Sequence, residues 1–108
     1  MELEERYQSW VDEVVFRGAV WIIGEGDRNT VIEDPNEDRD LNVLFSSRAD
    51  AERHRERGRV FPPIAVADLP ELLDFVAGRG EGVALWHGDR WIVADPAPLA
   101  AELRERAG

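Results

Sequence analysis

Leu3, Tyr7, Trp10, Val11, Val14 and Val15 recur at helical spacing, with Glu4, Glu5, Arg6, Asp12 and Glu13 set between them. That stripe predicts an amphipathic helix over residues 2 to 17, closed by Gly18. Ala19 to Ile23 is a short, nearly continuous apolar run of β-formers and predicts a strand, with Thr30 to Glu33 a second and Asn42 to Phe45 a third. Gly24, Glu25, Gly26 and Asp27 read as the turn between the first two.

Ser46 and Ser47 precede a charged stretch, Arg48 to Arg57, where Ser47 with Asp50 resembles a capping box and Gly58 is the expected stop. Pro62 and Pro63 lead into a strand at Ile64 to Val66. Asp68-Leu69-Pro70-Glu71 predicts a helix start, with Asp68 as N-cap, Glu71 as its reciprocal partner, and Leu69, Leu72, Leu73 and Val76 as the buried stripe.

Near the C-terminus, Gly82 to Trp86 and Trp91 to Ala94 read as a hairpin around His87-Gly88-Asp89-Arg90. Trp86 and Trp91 then lie opposite each other. Ala84, Trp86, Trp91 and Val93 share one face, and Val83, Leu85, Ile92 and Ala94 the other. Both faces are apolar, so the hairpin must be covered twice, by its own chain or by a second protein. Asp95 as cap and Pro96 at the first position start a last helix through about Arg106. The expected fold is a single α+β domain over residues 1–108, in the order α-β-β-β-α-β-α-β-β-α, with a mostly antiparallel sheet covered by helices.

Several stretches together carry a likeness: Val20-Trp21 after the first helix, Leu44-Phe45-Ser46-Ser47-Arg48 with Ala49 and Ala51, Pro63-Ile64 leading into Leu69 to Phe75, and the Pro98-Leu99 helix. In these the chain resembles a small bacterial family known as domain of unknown function 2750, and more weakly the N-terminal domain of SseB-type proteins. The resemblance implies a compact α+β fold and brings no catalytic residue.

The 108 residues carry a formal charge of −10 and include no cysteine. Disulfides and Cys-ligated zinc are thereby excluded, and a reducing cytoplasm is the expected location. The start of the chain shows no targeting signal, and no run is long enough to span a membrane. Nucleic acid and anionic lipid are disfavoured as partners, because both need cationic side chains. All thirteen basic residues are arginine; a GC-rich genome and a salt-adapted host would both produce that bias.

The strongest electrostatic signal is the acidic stretch Glu25, Asp27, Glu33, Asp34, Glu37, Asp38 and Asp40, interrupted by Arg28 and Arg39. Asp34, Asn36 and Asp38 mimic the start of a calcium loop, but Arg39 stands where glycine is needed and Phe45 where the closing glutamate belongs. No metal and no cofactor are expected. The arginines around His54 interleave with Asp50, Glu52 and Glu56, and read as a solvent-facing helix with pairs such as Glu52 with Arg55 and Arg53 with Glu56. His87 reads as a solvated turn residue, and Ser46 and Ser47 as capping residues without nucleophile context.

The function expected from these features is a non-enzymatic, acidic protein-binding domain, immunity- or antitoxin-like in its sharpest form. Its partner would be a protein with a basic surface, or a second copy as a homodimer. The contact residues expected are Glu33, Asp34, Glu37, Asp38, Asp40, Trp86 and Trp91. The alternative is a small enzyme or ligand-binding domain with a pocket between the first helix and the sheet, near the C-terminal Trp hairpin, using His87 or Asp89.

Overall fold

The two apolar faces of the Trp hairpin organise the fold. In the computed structural model, which describes residues 2–25, 28–55 and 58–107, β8 (Gly82–His87) and β9 (Arg90–Ala94) lie beside β4 (Val31–Glu33) and β5 (Asp40–Phe45) in a four-stranded sheet of order β4-β5-β8-β9. The β4–β5 and β8–β9 pairs are antiparallel, and the central β5–β8 pair is parallel. A parallel pair needs a long crossover. Here it runs through α2 (Arg48–His54), β6 (Arg59–Val60), β7 (Ile64–Ala65) and α3 (Leu69–Gly78).

One face of the sheet packs on α1 (Glu2–Arg17), α3 and α4 (Pro96–Ala107). Trp10, Val11, Val14, Leu69, Leu73, Leu99 and Leu103 meet Leu44, Val83 and Leu85 there, all buried. Each leucine so placed is worth about 2 kcal/mol of hydrophobic burial. The opposite face is covered differently from the expected helices. Strands supply most of the cover: Ile23 of β2 (Ile23–Glu25) and Val60 of β6, with Ala51 of α2, pack on Leu41, Val43, Phe45 and Ala84. That cover stops short of the hairpin, where Trp86, Trp91 and Val93 are only half-buried.

The α+β class and the order of elements are as expected, with four helices among the described residues. The first apolar run divides into β1 (Ala19–Val20), which pairs with β7, and β2, which pairs with β6 and with β3 (Arg28–Asn29). Trp21 between them exchanges backbone hydrogen bonds with Phe45 at 3.0 and 2.9 Å, joining this meander to the main sheet. Gly58 lets β6 approach β2 closely: a Cβ there would sit 2.6 Å from the Gly24 carbonyl oxygen. Gly26 and Asp27 of the expected turn, and the Glu56–Arg57 end of the expected basic helix, lie outside the described residues.

Two helix starts differ from expectation. Ser47 caps α2, its extended backbone letting the side chain accept from the Asp50 N–H at 3.1 Å. Asp68 does not cap α3 with its side chain, and Glu71 therefore has no reciprocal role. The Asp68 backbone is already helical (φ −96°, ψ −12°), because the turn Ala65–Asp68 runs directly into the helix, and its carboxylate makes no capping hydrogen bond. The Asp95 carboxylate accepts instead from Arg39 at 3.0 Å, while Pro96 holds the first position of α4 as expected.

Candidate interaction site at the Trp hairpin and the acidic loop

The hairpin turn contains only Gly88 and Asp89. Gly88 has φ +66°, and no other residue type among those described takes a positive φ, which fits a two-residue turn with glycine at its first central position. The strands therefore extend one residue further than the four-residue loop expected. His87 pairs with Arg90, and Trp86 stands directly opposite Trp91. The two indoles stack with centroids 5.8 Å apart and planes 18° apart. The assignment of faces follows the strand alternation: Ala84, Trp86, Trp91 and Val93 on one side, Val83, Leu85, Ile92 and Ala94 on the other.

Arg39 fixes the acidic loop. Its Nε donates to Asp34 at 2.9 Å and lies 3.2 Å from Glu37, and its Nη1 reaches Asp95 at 3.0 Å, just beyond the end of β9. Asp34 is 5 % exposed and also accepts from the Asn36 N–H at 2.8 Å. That N–H, followed by Arg39, holds its carboxyl below the usual carboxylate range. Asp34 thus anchors the loop internally, while Glu33, Glu37, Asp38 and Asp40 stay exposed. Glu33 and Asp40 are direct register partners across β4 and β5. Like charges facing each other across an antiparallel pair are destabilising.

The anchored loop and the hairpin meet in one cleft. It encloses about 630 Å³ and is lined by Asn36 of the loop, Trp91, Ile92 and Asp95, and Glu4 and Tyr7 of α1. Burial raises the Tyr7 hydroxyl to about 12, helped by the nearby carboxylates of Glu102 and Glu4. A second cleft of about 420 Å³ lies on the other side of Trp91, between α1 and the hairpin, with Ser9, Trp10, His87 and Arg90 in its wall. The indole N–H groups of Trp10 and Trp86 are buried without a partner among the described residues.

A polar node that the sequence does not announce pins the hairpin tip to α2. Asp50, 6 % exposed, accepts from the Gly88 N–H at 2.9 Å and from Arg53. Burial pushes its carboxyl up, but the Gly88 N–H and the Arg53 guanidinium outweigh that and hold it below the usual range. His54 Nε2 lies 3.1 Å from the Gly88 carbonyl, and its ring stacks on Phe45 and leans on Trp86. His87 Nδ1 is 2.7 Å from the Ser46 hydroxyl, so His87 is tied down rather than merely solvated. Sequence spacing gave no sign of these partnerships, since they join residues 34 to 41 positions apart. Only the run of serines before α2 marks the place. Ser46 is fully buried and its hydroxyl is held against the imidazole, while His87 itself is exposed in the wall of the second cleft. In α2, Glu52 pairs with Arg55 at 3.0 Å as expected, whereas Arg53 turns to Asp50.

No three His, Asp or Glu side chains converge as metal ligands among the described residues, and no helix among them is long and apolar enough to cross a membrane. No family model matches the chain, and no curated protein matches its sequence.

Proposed function

We propose that the chain is a non-enzymatic, cytoplasmic domain that binds a cationic protein through the cleft between the acidic loop and the Trp hairpin. The observation that carries this reading is the convergence of Asn36, Trp91 and Glu4 on one cleft, beside a sheet face whose own cover stops at the two tryptophans. Half-covered stacked indoles supply apolar contact area, and the carboxylates of Glu4 and Asp95 in the same cleft, with the acidic loop further out, supply steering. Net charge −10 strengthens the attraction to a basic surface. An immunity- or antitoxin-like role is the sharpest version, since a nucleic-acid-cutting toxin presents a basic cleft that an acidic surface can block. A bacterial origin, implied by the resemblance to domain of unknown function 2750, agrees with it.

The test is affinity capture from bacterial lysate with three immobilised proteins: the parent, a Glu37→Gln, Asp38→Asn, Asp40→Asn variant, and Trp91→Ala. A basic protein retained by the parent and lost by both variants, with their folds intact by circular dichroism, is expected. Equal capture by all three rules the site out. If the captured protein is toxic on expression and the parent relieves that toxicity, the immunity-like role follows.

One observation favours the ligand-binding alternative, namely the unpartnered N–H of Trp10, which lines the smaller cleft beside His87 and Arg90. A small ligand there should shift tryptophan emission and raise the melting temperature. Neither change across a panel of anionic metabolites removes this alternative.

A further inference from the structure

We infer that the open edge of β9 is a strand-addition site. It takes an extended segment of a partner protein that is apolar at its centre and carries arginine or lysine at the end that lies beside Asp95. This deepens the function proposed above and rests on it. The geometry starts at the turn. In a two-residue hairpin the residues flanking the turn form a hydrogen-bonded pair, so Arg90, Ile92 and Ala94 direct their backbone groups to β8. The alternation is confirmed one strand further in, where the Trp86 carbonyl turns the other way and accepts from the Ser46 N–H at 3.0 Å. Trp91 and Val93 therefore aim N–H and C=O outward, and neither group takes a backbone partner among the described residues.

β9 is a terminal strand of its sheet; it opens on Arg90, and over the four residues from Trp91 to Ala94 it carries no proline, charge or break in register. Natural edges are ordinarily blunted by one of these devices. An added strand would form hydrogen bonds at Trp91 and Val93, and its residue opposite Ile92 would face the α1 side, where Leu3, Tyr7 and Ile92 line the larger cleft. Glu4 and Asp95 line the same cleft and Glu37 lies beside Val93, so the end of the segment beside Asp95 meets carboxylates, whereas its other end lies beside Arg90. A second copy fits poorly. Antiparallel pairing with Ile92 opposite Ile92 would set Asp89 of each chain against Asp95 of the other, twice, on chains that each carry −10.

The probe is a short labelled peptide that alternates valine with threonine and ends in arginines, titrated into the intact protein. Expected are saturable, salt-weakened binding, amide shifts centred on Trp91 to Ala94, and slowed hydrogen exchange at the Trp91 and Val93 N–H groups. The same peptide N-methylated at alternate residues loses the donors that meet the outward carbonyls and should bind about tenfold more weakly. Val93→Pro removes one outward N–H while sparing the bonds to β8, and should weaken binding by a similar factor. Absence of binding, binding unchanged by N-methylation, or shifts mapping elsewhere overturns strand addition. So does a dimer in sedimentation that Val93→Pro dissolves, since the occupant is then a second copy. If Trp91→Ala and the loop variant abolish capture of a native partner while Val93→Pro does not, the protein-binding reading stands and strand addition falls.

Discussion

Replacing Trp91 by alanine separates the site from the core. Its ring is half-buried, stacked on Trp86 at 5.8 Å, and carried on an edge strand. A tryptophan buries about 200 Å² when fully enclosed, and Trp91 keeps no more than about a third of its surface exposed, so roughly 130 Å² is at stake here, or about 3 kcal/mol at 25 cal/mol per Å². The stack adds about 1 kcal/mol, and residual compactness of the unfolded chain removes a comparable amount. The expected loss is about 2–3 kcal/mol. Trp10, 1 % exposed between α1 and the sheet, sets the comparison: Trp10→Ala leaves a closed cavity and should cost about 3–5 kcal/mol. Urea denaturation of both variants reads the difference directly, provided the slope with denaturant stays that of the parent. The melting temperature should fall by about 10 °C for Trp91→Ala. A loss equal to that of Trp10→Ala would mean that the second sheet face is fully covered and the hairpin belongs to the core. No loss at all would mean that the indole stack does not form.

Ser47→Ala should cost about 1 kcal/mol and Asp68→Ala only a few tenths, because Ser47 accepts a helix N–H and Asp68 does not; equal shifts in urea midpoint would contradict the cap geometry. Asp50 has its folded pKa below its unfolded value. The stability it confers is therefore present above about pH 4 and is lost as pH falls through the folded pKa, so Asp50→Asn should flatten the acid limb of a midpoint-against-pH curve. The single tyrosine, Tyr7, is raised to about 12, so stability should be level up to about pH 10 and decline between there and about pH 12; phenolate absorbance rising at the ordinary pKa in the folded protein would refute this.

The elements were legible because their periods are local. The α1 stripe, the Leu69–Val76 stripe and the alternation of the hairpin can each be read within a dozen residues, and each finds its place in the core. The parts that were not legible depend on distant partners. β6, two residues long, exists only because Gly58 can touch Gly24. Asp68 has the sequence of a cap, but the turn before it had already entered the helical region, which no composition rule reveals. The acidic stretch looks uniform in sequence, yet Arg39 divides it by burying Asp34 and leaving its neighbours in water.

Two of the departures from local rules fall on one edge of the sheet. Most of the chain is consistent: apolar faces are covered, α2 is capped, and the buried Asp50 is fully engaged. Against that background, the cover over Trp91 stops short and the same strand, β9, leaves its edge open, while the like-charged Glu33–Asp40 pair lies at the β4 edge on the other face of the sheet. These two features of β9 cost stability, and both are relieved by the same kind of partner: apolar for the indole, extended for the edge. Places where a sequence breaks its own local rules are where function is expected to act against stability. Relief of both by a common partner is thus a stronger argument than either feature alone, because two unrelated defects would have no reason to call for one partner.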